Sequence, residues 1–298
     1  SATRGHALAA FEAARAKDPS HPDVLAGLDR LYTEAARLRE LIGVLEARML
    51  RARGAVRGEL RLRAATCAEA LGEVTVAAEL WRGAVADLAG APERRAAILP
   101  RAVDAQRRAH CVDAFVELAE EELRVATGDR RMALRRDLAR TLRDALGQPG
   151  RALVHLRALA GETASDRTEL FATLRSARAH GELARRLADH LRAHPSDTVG
   201  WRELAELREE SLFDPAGAAE AWRVLASLEP RSRAALAGLR RSAERVGDLA
   251  EVARVLVCEI EIGAHEPAGL WRRLARVRLD GLGDVAGAEL AFAAARAA

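Results

Sequence analysis

Asparagine is missing from the 298 residues, and lysine occurs once, at Lys17; every other member of the 47 basic residues is arginine. Aromatic residues make up only 3%, too few for a surface on which nucleic-acid bases would stack. A net charge of +3 is also small for a dedicated nucleic-acid binder, so the arginine excess is read as the mark of a GC-rich bacterial genome, and nucleic acid is disfavoured as a partner. Three cysteines, Cys67, Cys111 and Cys258, lie far apart without CxxC spacing, which argues against a disulfide framework or a zinc site and predicts buried thiols. No apolar run approaches the roughly 18 residues that span a bilayer, and no secretory leader opens the chain. Membrane insertion is therefore not expected, and a cytoplasmic location is, with the periplasm kept open. GxGxxG, P-loop, HExxH and nucleophile-elbow motifs are all missing, so no enzyme activity and no cofactor are expected.

What the chain does hold is a repeated unit. From Trp201 to Pro230 two short amphipathic segments read as helices: Trp201, Leu204, Ala205 and Arg208 share one face of the first, and Ala218, Trp222 and Leu225 share one face of the second. Asp214 and Pro215 supply an N-cap and a first-turn proline between them, and Pro230 ends the second. The pattern returns about 70 residues later at Trp271, Leu274 and Ala275, then Asp284, Ala288 and Phe292. Leu236, Leu239, Asp248, Val252 and Leu256 stand between the two copies, so the period is about 35 residues, which is that of a helical repeat array.

The rest of the chain carries the same unit with less regularity. LGEVTVAAELW at 71–81 aligns without gaps on LGDVAGAELAF at 282–292, and LGQPGRALVHL at 146–156 aligns on LFDPAGAAEAW at 212–222. Second helices are expected near Phe11, Leu45, Trp81, Leu118, Leu156, Leu187, Trp222, Leu256 and Phe292, eight of them with a first helix. Leu25 to Leu41 spans 16 residues and Trp201 to Ala218 spans 17, a difference assigned to the turns. Pro100 is expected to kink its helix or delay its start, and Ser165 with Asp166 to cap the helix that contains Leu170. The domain reading is a single solenoid over 1–298: an orphan second helix at 1–19, degenerate repeats at 22–195 and the clearest repeats at 196–298. Uncapped ends suggest a piece of a longer protein, and self-association through them is entertained.

These residues resemble the tetratricopeptide repeat, TPR. Trp201, Leu204, Ala205 and Arg208, then Ala218, Trp222, Leu225 and Pro230 occupy its signature positions; Leu25, Leu28 and Tyr32, with Ala7, Phe11, Ala14 and Pro19, are further matches. The resemblance covers nearly the whole chain and is weakest between 92 and 163, where arginine replaces several apolar positions. It implies an all-α fold, a right-handed α-solenoid of about eight and a half TPR-like hairpins. It also implies a concave groove, lined by first helices, for a peptide or helix of a partner protein. Positions that would face the groove are Arg136, Arg140 and Arg143, then Arg202, Glu206 and Glu209, then Arg241 and Arg245, then Arg272 and Arg276. Guanidinium forks suit carboxylates, so an acidic peptide is the expected ligand. Two specialised uses do not fit: the related pentatricopeptide repeats read RNA largely through Asn, Asp, Ser and Thr, and the chaperone-tail clamp needs Lys and Asn.

Other side-chain groupings carry little chemistry. His190 and His194, four apart, could share a metal but lack a convincing third ligand, so no metal is expected. His110 and Cys111 are adjacent and point about 100° apart on a helix. Glu209 with Glu210, and the run Glu120 to Glu122, read as solvated surface. The function expected is a non-catalytic scaffold for protein–protein interaction. The alternative is a regulatory or sensor module attached to a catalytic or DNA-binding domain of a larger chain.

Overall fold

The structure, a computed structural model, describes residues 2–159, 163–263 and 267–298. Every regular element there is helical. In order these are α1 (Ala2–Lys17), α2 (Pro22–Glu34), α3 (Leu38–Met49), α4 (Gly54–Ala70), α5 (Val74–Asp87), α6 (Pro92–Arg108), α7 (Val112–Glu122), α8 (Gly128–Arg140) and α9 (Pro149–Leu159). They continue as α10 (Ala164–Ser176), α11 (His180–Ala193), α12 (Thr198–Glu206), α13 (Pro215–Leu228), α14 (Arg233–Val246), α15 (Leu249–Glu261), α16 (Pro267–Arg276) and α17 (Val285–Ala297). The nine positions expected on second helices fall on the nine odd-numbered helices, and the first helices are the eight even-numbered ones. The chain forms two compact units, Ser1–Thr173 and Leu174–Ala298.

Within each unit helices pack on their neighbours in sequence, as a repeat array requires. One core gathers Leu25, Leu28 and Tyr32 of α2 with Leu41, Val44 and Leu45 of α3 and Leu60 of α4. Another gathers Val252 and Leu256 of α15 with Leu274 and Ala275 of α16 and Ala291 of α17. Leucine fills the space between hairpins while fully buried alanines such as Ala64, Ala78 and Ala205 let backbones approach closely. The key residues of the inner second helices, from Leu45 to Leu256, are buried; Phe11 and Phe292, on α1 and α17, are half-buried.

All eight hairpins close on the same backbone device. One residue takes a left-handed conformation, a single residue follows, and the second helix starts: Ala36, Gly72, His110, Gly147, Arg178, Phe213, Gly247 and Gly283 are these pivots. In five of them the residue after the pivot donates its N–H to a carbonyl five back, as Arg37 does to Tyr32 (3.0 Å) and Asp248 to Ala243 (3.0 Å). In the other three the bond reaches six back: Gln148 to Leu142, Asp214 to Arg208 and Asp284 to Arg278. There the first helix ends in a π-turn, at Thr141–Ala145, Leu207–Ser211 and Val277–Gly281. The extra residue of the Trp201 to Ala218 spacing therefore sits in the last turn of the helix and not in the connecting turn, which keeps one geometry throughout.

Two local expectations are corrected. Helix α6 starts at Pro92 and runs through Pro100, so that proline does not delay it. The cap of α10 is Thr163, whose Oγ1 accepts from the backbone N–H of Asp166 (3.1 Å), because the helix starts at Ala164 and Ser165 and Asp166 already lie in its first turn. Asp197, Asp214, Ser232, Asp248 and Asp284 each cap the helix they precede by accepting a backbone N–H three residues on. By contrast, none of the residues that precede α2 to α8 caps through its side chain.

Candidate protein-interaction surface

The ten expected groove residues divide by what they touch. On α8, Arg136 makes a two-pronged pair with Asp166 of α10 (2.7 and 2.8 Å). Arg143, in the π-turn that follows, holds Asp144 (2.6 Å) and reaches Glu169 of α10. In the second unit Arg202 lies 3.2 Å from Glu229, and Arg241 and Arg245 of α14 converge on Glu209 (3.1 and 3.3 Å). Four residues are left outside such bridges. Arg140 is 64% exposed and only 3.7 Å from Asp137 of its own helix; Arg272 bonds the Ala268 carbonyl one turn back (3.2 Å). Glu206 and Arg276 are exposed and make no ion pair among the described residues.

The arginine excess has a structural use that composition alone did not show. Each of the six buried carboxylates among the described residues, Asp29, Asp87, Glu122, Asp166, Glu209 and Glu251, meets at least one arginine. Many of these pairs tie one hairpin to the next: Arg63 of α4 grips Asp29 of α2 through two bonds, and Arg130 of α8 grips Glu122 of α7. A planar fork keeps its charge at any working pH and satisfies both carboxylate oxygens, which a lysine cannot do. Burial pushes the Asp29 carboxyl up, but the hydrogen bonds and charge of Arg63, with the charge of Arg48, leave it below the ordinary carboxylate range. For Asp166 the bonds from Arg136 dominate and hold it low against burial, helped by Thr163.

Glu209, expected as solvated surface with Glu210, is instead the buried centre of a four-residue node. Its Oε2 accepts from the indole N–H of Trp222 (3.2 Å), and its two oxygens take Arg241 and Arg245 from the next first helix. Glu210, its neighbour, is exposed. Phe213, the pivot of this hairpin, lines one cleft with Glu209, Arg241 and Arg245, with φ +53° and 82% of its surface exposed. Its counterparts in the two other π-closed hairpins are Gly147 and Gly283. A phenylalanine pays for that backbone conformation where glycine would not, and strained residues of this kind cluster at functional sites. No other aromatic side chain among the described residues is exposed. The alignment of LGQPG, LFDPA and LGDVA carries this signal as a Phe where its two counterparts have Gly.

A second device, also unforeseen, fixes the same turn. Arg208 in the π-turn donates to the carbonyl of Gly217 on α13 (2.8 Å), and Arg278 does the same to Gly287 on α17 (3.1 Å). In each case the cap aspartate and the arginine approach the glycine so closely that a Cβ there would collide with the carboxylate.

The histidine and cysteine groupings stay apart from this surface. The rings of His190 and His194 stack at 4.3 Å, His194 Nδ1 lies 3.1 Å from the His190 carbonyl, and His190 Nε2 is 3.7 Å from Asp197. Among the described residues no three His, Cys, Asp or Glu side chains are grouped to hold a metal ion. Cys67, Cys111 and Cys258 are free and half-buried, not fully buried as expected, and burial raises the Cys67 thiol above its ordinary range. No described helix is long and apolar enough to cross a membrane.

No family model matches the chain, and no curated protein does. Among solved structures it is similar to MamA (residues 41 to the end) from Desulfovibrio magneticus RS-1, with 14% identity and a TM-score of 0.35 over 57% of this chain and 96% of that one. A crystal structure of MamA protein gives 16% and 0.35 over 56% and 91%. A tetratricopeptide repeat protein from Parabacteroides merdae ATCC 43184 gives 15% and 0.33 over 80% and 92%. Likenesses this distant identify neither partner nor activity. What the chain itself shows, in the order of its helices, the burial of their repeating apolar positions and the uniform closure of its turns, is an array of helical hairpins.

Proposed function

We propose that this protein is a non-catalytic scaffold that binds a peptide or helix of a partner protein along its first helices, and that the bound segment is acidic. The observation that carries this reading is the division of the charged stripe. Packing between hairpins consumes Arg136, Arg143 and Glu209, and Arg202 is held by Glu229 within its own hairpin, while Arg140, Arg272 and Arg276 stay exposed with no partner on another helix. Charged side chains that bridge to no other helix and repeat on corresponding helices are available for contacts to something outside the fold.

The test follows the same division. The full chain and two variants, Arg140→Glu and the double Arg272→Glu with Arg276→Glu, are used to capture proteins from the native lysate after circular dichroism shows equal helix content. A partner held by the wild type and lost from either variant supports the reading. Equal capture by all three refutes a role for these arginines. Reversing Arg136 or Arg143 would be uninformative, since each holds a buried or neighbouring carboxylate and its loss unsettles the hairpin.

A further inference from the structure

The turn between α12 and α13 carries more than a closure. Glu209, Glu210, Phe213, Pro215, Arg241 and Arg245 line an open cleft of about 610 Å³. Arg241 and Arg245 are half exposed, at 50% and 55%, and share one buried carboxylate, Glu209, which also takes the Trp222 indole. Glu209 therefore orients both guanidiniums and fixes them in place, yet Arg241 Nη1 and Arg245 Nε and Nη2 keep no protein hydrogen-bond partner among the described residues. Beside these donors stands Phe213, exposed and in a backbone conformation that favours glycine.

We infer that this cleft is a subsite for a single acidic side chain of a bound peptide, seated on Arg241 and Arg245, with an adjacent aliphatic or aromatic residue packed on Phe213. The inference rests on the scaffold reading and gives it one located contact. Charge complementarity favours the carboxylate: two half-exposed guanidiniums share a single buried carboxylate, which leaves one positive charge and the Arg241 Nη1 and Arg245 Nε and Nη2 donors unspent. Glu210 on the rim makes no ion pair with either arginine and repels a ligand that presents more than one negative charge. Phe213 explains the apolar neighbour, because an exposed ring gains contact area only when another side chain covers it. Glycine at this position would relieve the backbone, so the ring is kept against the interest of the turn.

The experiment uses the full chain and an immobilised array of octapeptides, each with one Asp or Glu beside Phe, Leu or Trp, and matched arrays carrying Asn or Gln, or Lys or Arg, at the charged position. The expected result is enrichment of the acidic-apolar set, with about tenfold weaker binding in Arg245→Gln, which leaves Arg241 to neutralise Glu209. Phe213→Gly should also bind more weakly while unfolding at a higher denaturant midpoint, a combination that loss of folding cannot produce. Glu210→Gln should bind more tightly. No enrichment over the matched arrays, or enrichment unchanged in Arg245→Gln and Phe213→Gly, overturns the subsite. If that happens while capture from lysate still depends on Arg140, Arg272 or Arg276, the subsite alone fails; loss of both results removes the scaffold reading as well.

Discussion

The indole N–H of Trp222 donates to the carboxylate of Glu209 across 3.2 Å, joining the second helix of one hairpin to its first helix. The same carboxylate then receives Arg241 and Arg245 from the next hairpin, so a single acidic side chain links three helices. Trp222 is 2% exposed, and its ring lies against the backbone of Gly238 on α14. Replacing it with alanine removes both the ring and the bond. We expect a loss of about 3 to 5 kcal/mol in denaturant melts of Trp222→Ala. Trp222→Phe, which keeps most of the volume and leaves Glu209 paired with Arg241 and Arg245, should lose about 1 kcal/mol, the worth of the one hydrogen bond removed. A loss below about 0.5 kcal/mol in the alanine variant would mean that the ring does not pack as described.

Gly238 is the complementary half of that contact. A Cβ there would meet the six-membered ring of Trp222, and sixteen residues separate the two, as they separate Phe11 from Gly27, where the same clash would occur. Alanine is the better helix former by about 1 kcal/mol. We nevertheless expect Gly238→Ala to destabilise by about 1 to 3 kcal/mol, because an overpacked ring must shift against its neighbours. A rise in the urea midpoint would contradict this.

Ala36 and Arg178 hold left-handed pivots, with φ +52° at each, that Gly72, Gly147, Gly247 and Gly283 occupy elsewhere. Relief of the Cβ strain favours glycine by about 1 to 2 kcal/mol, against a smaller entropic cost in the unfolded chain. Ala36→Gly and Arg178→Gly should each raise the midpoint of thermal unfolding by a few degrees. Unchanged or lower midpoints would show that the turn is held by something other than backbone preference.

Acid should act in two stages. His155 is buried, and burial, with the charge of Arg135, holds its imidazole below the ordinary value of 6.5, so the folded protein takes up that proton only at lower pH than the unfolded chain. As pH falls through 6.5 the unfolded chain takes up that proton first and stability drops. Asp29 acts lower. Its folded carboxyl titrates below 3.8, so the stability it contributes is complete above that value and is lost as pH falls through the folded range. Urea midpoints followed from about pH 8 to pH 2 should show both declines. His155→Leu should flatten the first and Asp29→Asn the second, and a variant that left its decline unchanged would remove the assignment.

The clasp of the duplicated turn gives a further check. Gly217 and Gly287 lie where the cap aspartate and the arginine of the π-turn meet. Gly217→Ala should displace the Asp214 carboxylate and forfeit a cap worth about 1 kcal/mol. Equal stability in the paired variants Gly217→Ala and Gly150→Ala would count against the clasp, since Gly150, in the turn without such an arginine, has open space where its Cβ would go.

The sequence by itself determined the helices, their pairing and their number. Apolar residues at helical spacing bury only when every second segment turns back on the first, and a period of about 35 residues allows one hairpin per repeat. It determined them best between 196 and 298, where Asp197, Asp214, Ser232, Asp248 and Asp284 cap their helices through side chains that act within three residues. Before that stretch the turns close at Ala36, His110 and Arg178 in a conformation that their side chains disfavour, and packing against the neighbouring hairpin supplies what the local residues do not. Only the tertiary structure decided which charges are spent on the fold. Arg136 and Arg140 stand four apart on one helix face, yet one faces Asp166 and the other faces solvent, and that depends on an acid 30 residues away. Glu209 and Glu210 are adjacent and identical in type, yet Trp222 and two arginines from another hairpin bury one and leave the other on the rim. The pattern within a helix fixes which residues share a face, and the neighbouring hairpin, by bringing the partner charge, fixes what that face can bind.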